Sequence, residues 1–234
     1  LTTIPESRRP SMNAGPAIIR TLPHVLRDPA LRRQLAAWGA GITAFVLVNP
    51  FAVVLVKNGY GVADSTAMVF TLTIVVGGIL SAFVNGRLSD RLGPRPLLVA
   101  FAALLFGVAV FWAVAPAGFS PILSGLMFFA GGVAKTGILV GLQHYLLSSV
   151  DADGRVQMGL WAEIVAGSVA GLSSLLIAGG LLHLFGDLYT GLDIYRSYFR
   201  VVAALLAGGV LVMLRLPASD VDTENGPDDV ADTE

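Results

Sequence analysis

Residues 65–115 read STAMVFTLTIVVGGILSAFV (65–84), NGRLSDRLGPR (85–95) and PLLVAFAALLFGVAVFWAVA (96–115). Two uncharged runs of 20 residues flank a short insert that carries Arg87, Asp90, Arg91 and Arg95. Twenty residues wound as an α-helix reach about 30 Å, the thickness of the hydrocarbon core of a bilayer. The stretch therefore predicts two membrane-crossing helices joined at a charged connection in water.

The same pattern extends outward. Further apolar segments cover residues 34–56, 120–147, 156–184 and 198–216, giving six in all. A backbone in lipid must satisfy its own hydrogen bonds, so each segment is expected to be helical. Turn formers stand between them: Asn58-Gly59 with Gly61, Pro116 with Gly118, and Asp153-Gly154. Composition agrees. Hydrophobic residues make up 55% of the chain and charged residues 13%, against roughly 25% charged in soluble domains. The expected fold class is all-α, a polytopic membrane bundle of six transmembrane helices spanning residues 34–216. Residues 1–33 form an arginine-rich cytoplasmic linker broken by prolines. It ends in a short amphipathic helix, with Asp28 as N-cap and Pro29 at the first helical position. Residues 217–234 carry acids without basic counterparts and are expected to be a disordered cytoplasmic tail.

Orientation follows the basic residues. Six helices put both termini on one side. That side holds Arg8, Arg9, Arg20, Arg27, Arg32, Arg33, Arg87, Arg91, Arg95, Arg155 and Arg215, and the other holds Lys57, Arg196 and Arg200. The balance of 11 to 3, with Lys135 inside a helix, predicts cytoplasmic termini in a plasma (inner) membrane.

Several classes of function lack their residues. There is no cysteine, and His24, His144 and His183 are too far apart for a ligand pair at helical spacing, so no metal site is expected. No phosphate-binding glycine loop ending in Lys-Ser/Thr and no nucleophile–base–acid set is present, which argues against an ATP-driven pump, an enzyme and a cofactor. No basic patch suits nucleic acid.

The insert Gly86-Arg87-Leu88-Ser89-Asp90-Arg91-Leu92-Gly93-Pro94-Arg95-Pro96 resembles the cytoplasmic loop signature of the major facilitator superfamily. The matching positions are Gly86, Asp90, Arg91, Gly93 and Arg95; Pro94 stands where that signature carries a basic residue. The plain alternative is a positive-inside loop with one stray acid. The resemblance implies a twelve-helix transporter made of two six-helix halves, each built from two inverted three-helix repeats. In it these five residues act as a latch on the cytoplasmic side. The arginine-rich lead-in (residues 26–33) and the ending shortly after a sixth helix point to the C-terminal half. The partners implied are a small-molecule substrate, membrane lipid, and an N-terminal six-helix half or a second copy.

Lys135 lies near the middle of the fourth segment. An ammonium there costs about 2.5 kcal/mol or more by insertion scales. A water-filled cavity or a partner carboxylate is expected around it. Thr136 sits beside it and Gln143 about 80° around the helix, whereas His144 falls on the opposite face. Lys135, Thr136 and Gln143, with Asn49 of the first segment, are the candidate substrate cavity. Glu163 is a candidate for proton coupling if burial raises its pKa; facing the vestibule or pairing with an arginine is the alternative. Asn49-Pro50 is expected to interrupt the first helix. Trp38, Trp112 and Trp161 read as interfacial anchors. Gly137/Gly141 and Gly167/Gly171 have the spacing of close helix packing. The function expected is secondary active transport by alternating access. The alternative is a membrane-embedded assembly or interaction protein that keeps the fold without transport.

Overall fold

A computed structural model describes residues 27, 29–149 and 152–216; the linker before residue 27 and the acidic tail lie outside them. The described residues are helical and contain no strand. Helix α1 (Pro29–Val54) runs on into a π-helical turn (Leu55–Gly59), where the Tyr60 N–H donates to the carbonyl of Leu55, five residues back. Then come α2 (Asp64–Leu92), α3 (Pro94–Ala113), α4 (Pro121–Ser149) and α5 (Ala152–Leu172). A second π-helical stretch (Ser173–Gly179) carries α5 into α6 (Gly180–Leu188), and α7 (Leu192–Leu214) ends the bundle. Six stretches are long and apolar enough to cross a membrane: Leu31–Gly59, Asp64–Ser89, Pro94–Ala113, Pro121–Ser148, Met158–Leu188 and Leu192–Leu214. The chain is an integral membrane protein.

Helix ends differ from the expected ones in instructive ways. The charged insert is not a loop. Helix α2 continues through Arg87, Ser89 and Arg91, because charged residues at a membrane surface cost a helix nothing. Only Gly93 leaves it, with φ of +77°, a conformation open to glycine. Pro94, which cannot continue a helix but starts one well, then opens α3. Asp153-Gly154 likewise falls inside α5. Pro50 does not interrupt α1, which runs through it and widens only at Leu55. Helix α7 begins at Leu192, one and a half turns before the apolar run, with Asp193 in its first turn. Asp193 pairs with Arg196 at 2.8 Å.

Packing follows an exchange rule. Helix α4 packs on α2 and α3, while α1 packs on α5 and α7; α1 meets α4, and α3 meets α7. Swapping α1, α2 and α3 for α4, α5 and α7 leaves this pattern unchanged. The same exchange appears in the arginines of α3 and α7. Arg95, the second residue of α3, donates from Nη2 to the carbonyl of Leu214 at the end of α7 (2.8 Å). Arg196, in the second turn of α7, donates from Nε and Nη2 to the carbonyl of Ala115 just beyond α3 (2.9 and 2.6 Å). Each helix thus lends a cation to the carbonyl-rich end of the other, where the helix dipole favours positive charge.

The α2–α4 contact is the closest. A Cβ built on Gly132 would collide with the Ile74 carbonyl, and one on Gly77 with the Phe129 carbonyl. Between apolar helices in lipid, such backbone approach is the main source of association. Gly137 meets the Phe101 ring of α3 and Gly141 meets Leu98, so that pair packs closely as expected. Gly167 and Gly171 touch nothing among the described residues. The three tryptophans are not interfacial anchors: Trp38, Trp112 and Trp161 are buried at 3, 1 and 8% exposure. Each faces inward, and Trp112 lies against Phe128 and Phe199 with ring centroids 5.5 and 6.4 Å away. Burying these large rings between helices outweighs their interfacial preference.

Gly132→Ala is expected to lower stability in detergent by about 1–3 kcal/mol, since the collision is with backbone. Gly171→Ala should stay within about 0.5 kcal/mol. Thermal unfolding of both variants measures the difference.

Candidate functional site

Lys135 stands fourteen residues from either end of α4 (Pro121–Ser149), at the centre of the bundle. Its Nζ lies 5.2 Å from the centroid of the Phe45 ring on α1, within cation–π range. One turn further along each helix, the Asn49 amide donates to the Gly131 carbonyl in a long bond of 3.5 Å. Phe45 and Asn49 are four apart on α1, and Gly131 and Lys135 four apart on α4, so one face of each helix forms a shared seam. Lys135 is half-buried and makes no ion pair with any described carboxylate. The opposite side of α1 is tied to α7, where the Tyr198 hydroxyl donates to the Leu47 carbonyl at 2.8 Å.

The other candidate residues separate. Thr136 points at α2, with its Oγ1 against Gly78. Gln143 and Glu163 are both exposed, Gln143 on α4 and Glu163 on α5. Asn49 and Lys135 alone are brought to one seam. Of the latch residues, Gly93 makes the turn, Arg95 caps α7, and Gly86 and Arg91 are exposed on α2. The side chain of Asp90 lies outside the described residues. A cavity of about 590 Å³ lies mainly between α1, α5 and α7, with Ala102 of α3 and Ile138 of α4 also lining it, and includes none of the four candidate cavity residues.

Sequence reasoning missed a polar ladder on α2. Ser81 donates to the Val133 carbonyl (2.8 Å), Asn85 to the Gly137 carbonyl (3.1 Å), and Ser89 Oγ meets His144 Nδ1 at 2.9 Å. Ser81, Asn85 and Ser89 are each four residues apart, a signal the sequence carries. Asn85 is 1% exposed, and its Oδ1 has no partner among the described residues. At the opposite end, the Tyr60 hydroxyl donates to the Pro116 carbonyl at 2.6 Å. Burial pushes its pKa above the ordinary range, against the lowering influence of Arg196. No group of three His, Asp or Glu side chains among the described residues is placed to hold a metal ion.

The chain is similar to a D-xylose transporter from Levilactobacillus brevis, 28% identical over 150 residues. That alignment covers 62% of this chain and 30% of the relative, so the chain spans less than a third of the relative's length. No known family model matches the chain, and no solved structure matches it.

Asn85→Ala is expected to destabilise the bundle by about 0.6–1.7 kcal/mol, the range of interhelical hydrogen bonds in lipid. Lys135→Met should be neutral or stabilising, because it removes a central charge that has no partner acid among the described residues. Steric-trap or thermal unfolding in detergent distinguishes the two.

Proposed function

We propose that this chain is the C-terminal six-helix half of a major facilitator-type secondary transporter that carries a small polar solute. The observation that carries the proposal is the Lys135 ammonium, held at mid-membrane beside Phe45 and Asn49 without a described counter-acid. A charge kept there costs stability, so its retention argues for a ligand. An aromatic face, an amide and an ammonium converging on one seam suit the hydroxyls of a sugar or an anionic group on a small metabolite. The similarity to a D-xylose transporter supports the sugar.

The remaining parts fit this reading. Arg33 at the start of α1, Arg95 at the start of α3 and Arg215 at the end of α7 share one end of the bundle, which the positive-inside rule makes cytoplasmic. Asp90 and Arg91 would form the reaching part of a latch at that end, with Arg95 bracing α3 against α7 and Gly86 and Gly93 allowing close approach. Gly167 and Gly171 on α5 form a small-residue stripe without a described neighbour, a surface that suits another helix better than lipid tails do. That helix would come from an N-terminal half or a second copy. Glu163 lies near the stripe, one turn before Gly167 on the same helix, and is the candidate for proton coupling.

The test is uptake of D-xylose, other pentoses and hexoses, and small organic anions into proteoliposomes holding the full-length protein. Lys135→Ala is expected to reduce transport about tenfold or more, equivalent to about 1.4 kcal/mol, while leaving insertion intact and not lowering the unfolding temperature. Uptake and affinity equal to the unsubstituted protein would refute the proposal.

A further inference from the structure

Two cavities adjoin at the arginine-bearing end of the bundle. One, of about 540 Å³, lies between the start of α1, the start of α3 and the end of α7. Arg33, Arg95 and Arg215 line it, with Leu214 and Leu216, and no described acid does. The other is the cavity of about 590 Å³ between α1, α5 and α7, lined almost wholly by apolar groups such as Gly39, Ala40, Leu206, Gly209 and Met213. Ala36 and Val212 line both. Arg32 stands among the lining residues of the apolar cavity.

We infer that the two cavities together form a binding site for one anionic phospholipid, its phosphate on the three arginines and an acyl chain in the groove. Three guanidinium groups around one space repel one another unless an anion joins them. Only Arg95 is engaged, through one of its five N–H donors to the Leu214 carbonyl at 2.8 Å. That bond fixes the guanidinium at the cavity rim and leaves four donors. Arg33 and Arg215 are exposed and make no hydrogen bond or ion pair among the described residues. Guanidinium is the side chain best matched to phosphate oxygens. The groove explains why the ligand is a lipid and not a free anion, because a soluble phosphate leaves the apolar cavity empty. The acidic residues 217–234 supply charge but no apolar run long enough to fill the groove.

The site sits where a lipid headgroup meets its chains. Arg33, Arg95 and Arg215 lie at helix ends, while Gly39, Ala40 and Gly209 lie one to two turns deeper. The exchange partner of this groove, where α4 meets α2 and α3, is closed by Gly77, Gly132 and Gly137. The cavity is therefore a local departure from the packing rule of the bundle. The inference rests on membrane insertion alone and is independent of what the protein transports.

Native mass spectrometry of the full chain in non-ionic detergent tests it, titrating phosphatidylglycerol against phosphatidylcholine with identical acyl chains. Phosphatidylglycerol is expected to bind one equivalent, with an advantage of about fivefold for each arginine engaged. The double variant Arg33→Ala/Arg215→Ala should remove most of that advantage. The variant Gly209→Leu, which places a side chain in the groove near Ala40, should weaken both lipids. The double variant Arg27→Ala/Arg87→Ala, equal in charge but at residues that line neither cavity, should retain the preference. Equal affinity for the two lipids would overturn the inference. So would an equal loss in both double variants, or phosphatidylglycerol binding that emerges only after residues 217–234 are removed. Glycerol phosphate binding as tightly as the lipid would overturn the acyl-chain part.

Discussion

A carbonyl oxygen in a membrane helix keeps a lone pair free after its own helical bond is made, and polar side chains inside this bundle settle on those lone pairs. Ser81, Asn85, Asn49 and Tyr198 donate to the carbonyls of Val133, Gly137, Gly131 and Leu47. Arg95 and Arg196 do the same at helix ends, where the carbonyls have no helical partner at all. With no water in the hydrocarbon, an unpaired hydroxyl or amide is expensive. A carbonyl can be reached only if the helices come close, and glycine permits that approach. The polar ladder and the glycines of α2 and α4 are therefore one device: Gly77 and Gly132 bring the backbones together, and Ser81 and Asn85 use the proximity.

The same device is absent from α1 and α5. Their positions in the packing match those of α4 and α2, yet the nearest neighbours of Gly39 on α1 are the valines Val165 and Val169, at ordinary contact distance. No Ser or Asn of α5 reaches across to a described carbonyl of α1. A looser pair leaves room, and the cavity of about 590 Å³ lies there. Symmetric topology with unequal close packing thus gives a bundle with one tight side and one accommodating side. The α1–α4 seam that holds Asn49 and Lys135 runs between them.

Much of the fold was legible in the sequence because charge exclusion from lipid acts on whole segments. Six long apolar runs, three of them without any charge, marked the six membrane-long helical stretches without any knowledge of neighbours. Helix ends were less legible. Charged residues mark where lipid stops, and helices do not stop there, so α2 passed through Arg87 to Gly93. The tryptophans show a second limit. Composition placed them near segment ends, but whether an indole meets headgroups or a neighbouring helix depends on which way its face turns. The candidate site was legible only in part. Helical angles put Lys135 and His144 on different faces, and they do meet different helices, α1 and α2. Angles within one helix could not say that Thr136 would face Gly78 of α2, or that Phe45 of α1 would cover the ammonium, since both depend on pairing between helices.

Arg95 bears on what the motif at residues 86–95 does physically. Its matching pattern suggested a set of groups free to latch onto another surface. In the structure Arg95 braces α7 within the same bundle, and its counterpart Arg196 braces α3 at the far end. A residue that closes a reciprocal brace holds two helices in register, and its charge is partly offset by the carbonyl it caps. Arg91, exposed and further along α2, carries no such duty. The motif therefore divides between holding and reaching. Gly93 and Arg95 set where α3 begins and how it stands against α7, and this fixes the edge from which Arg91 projects.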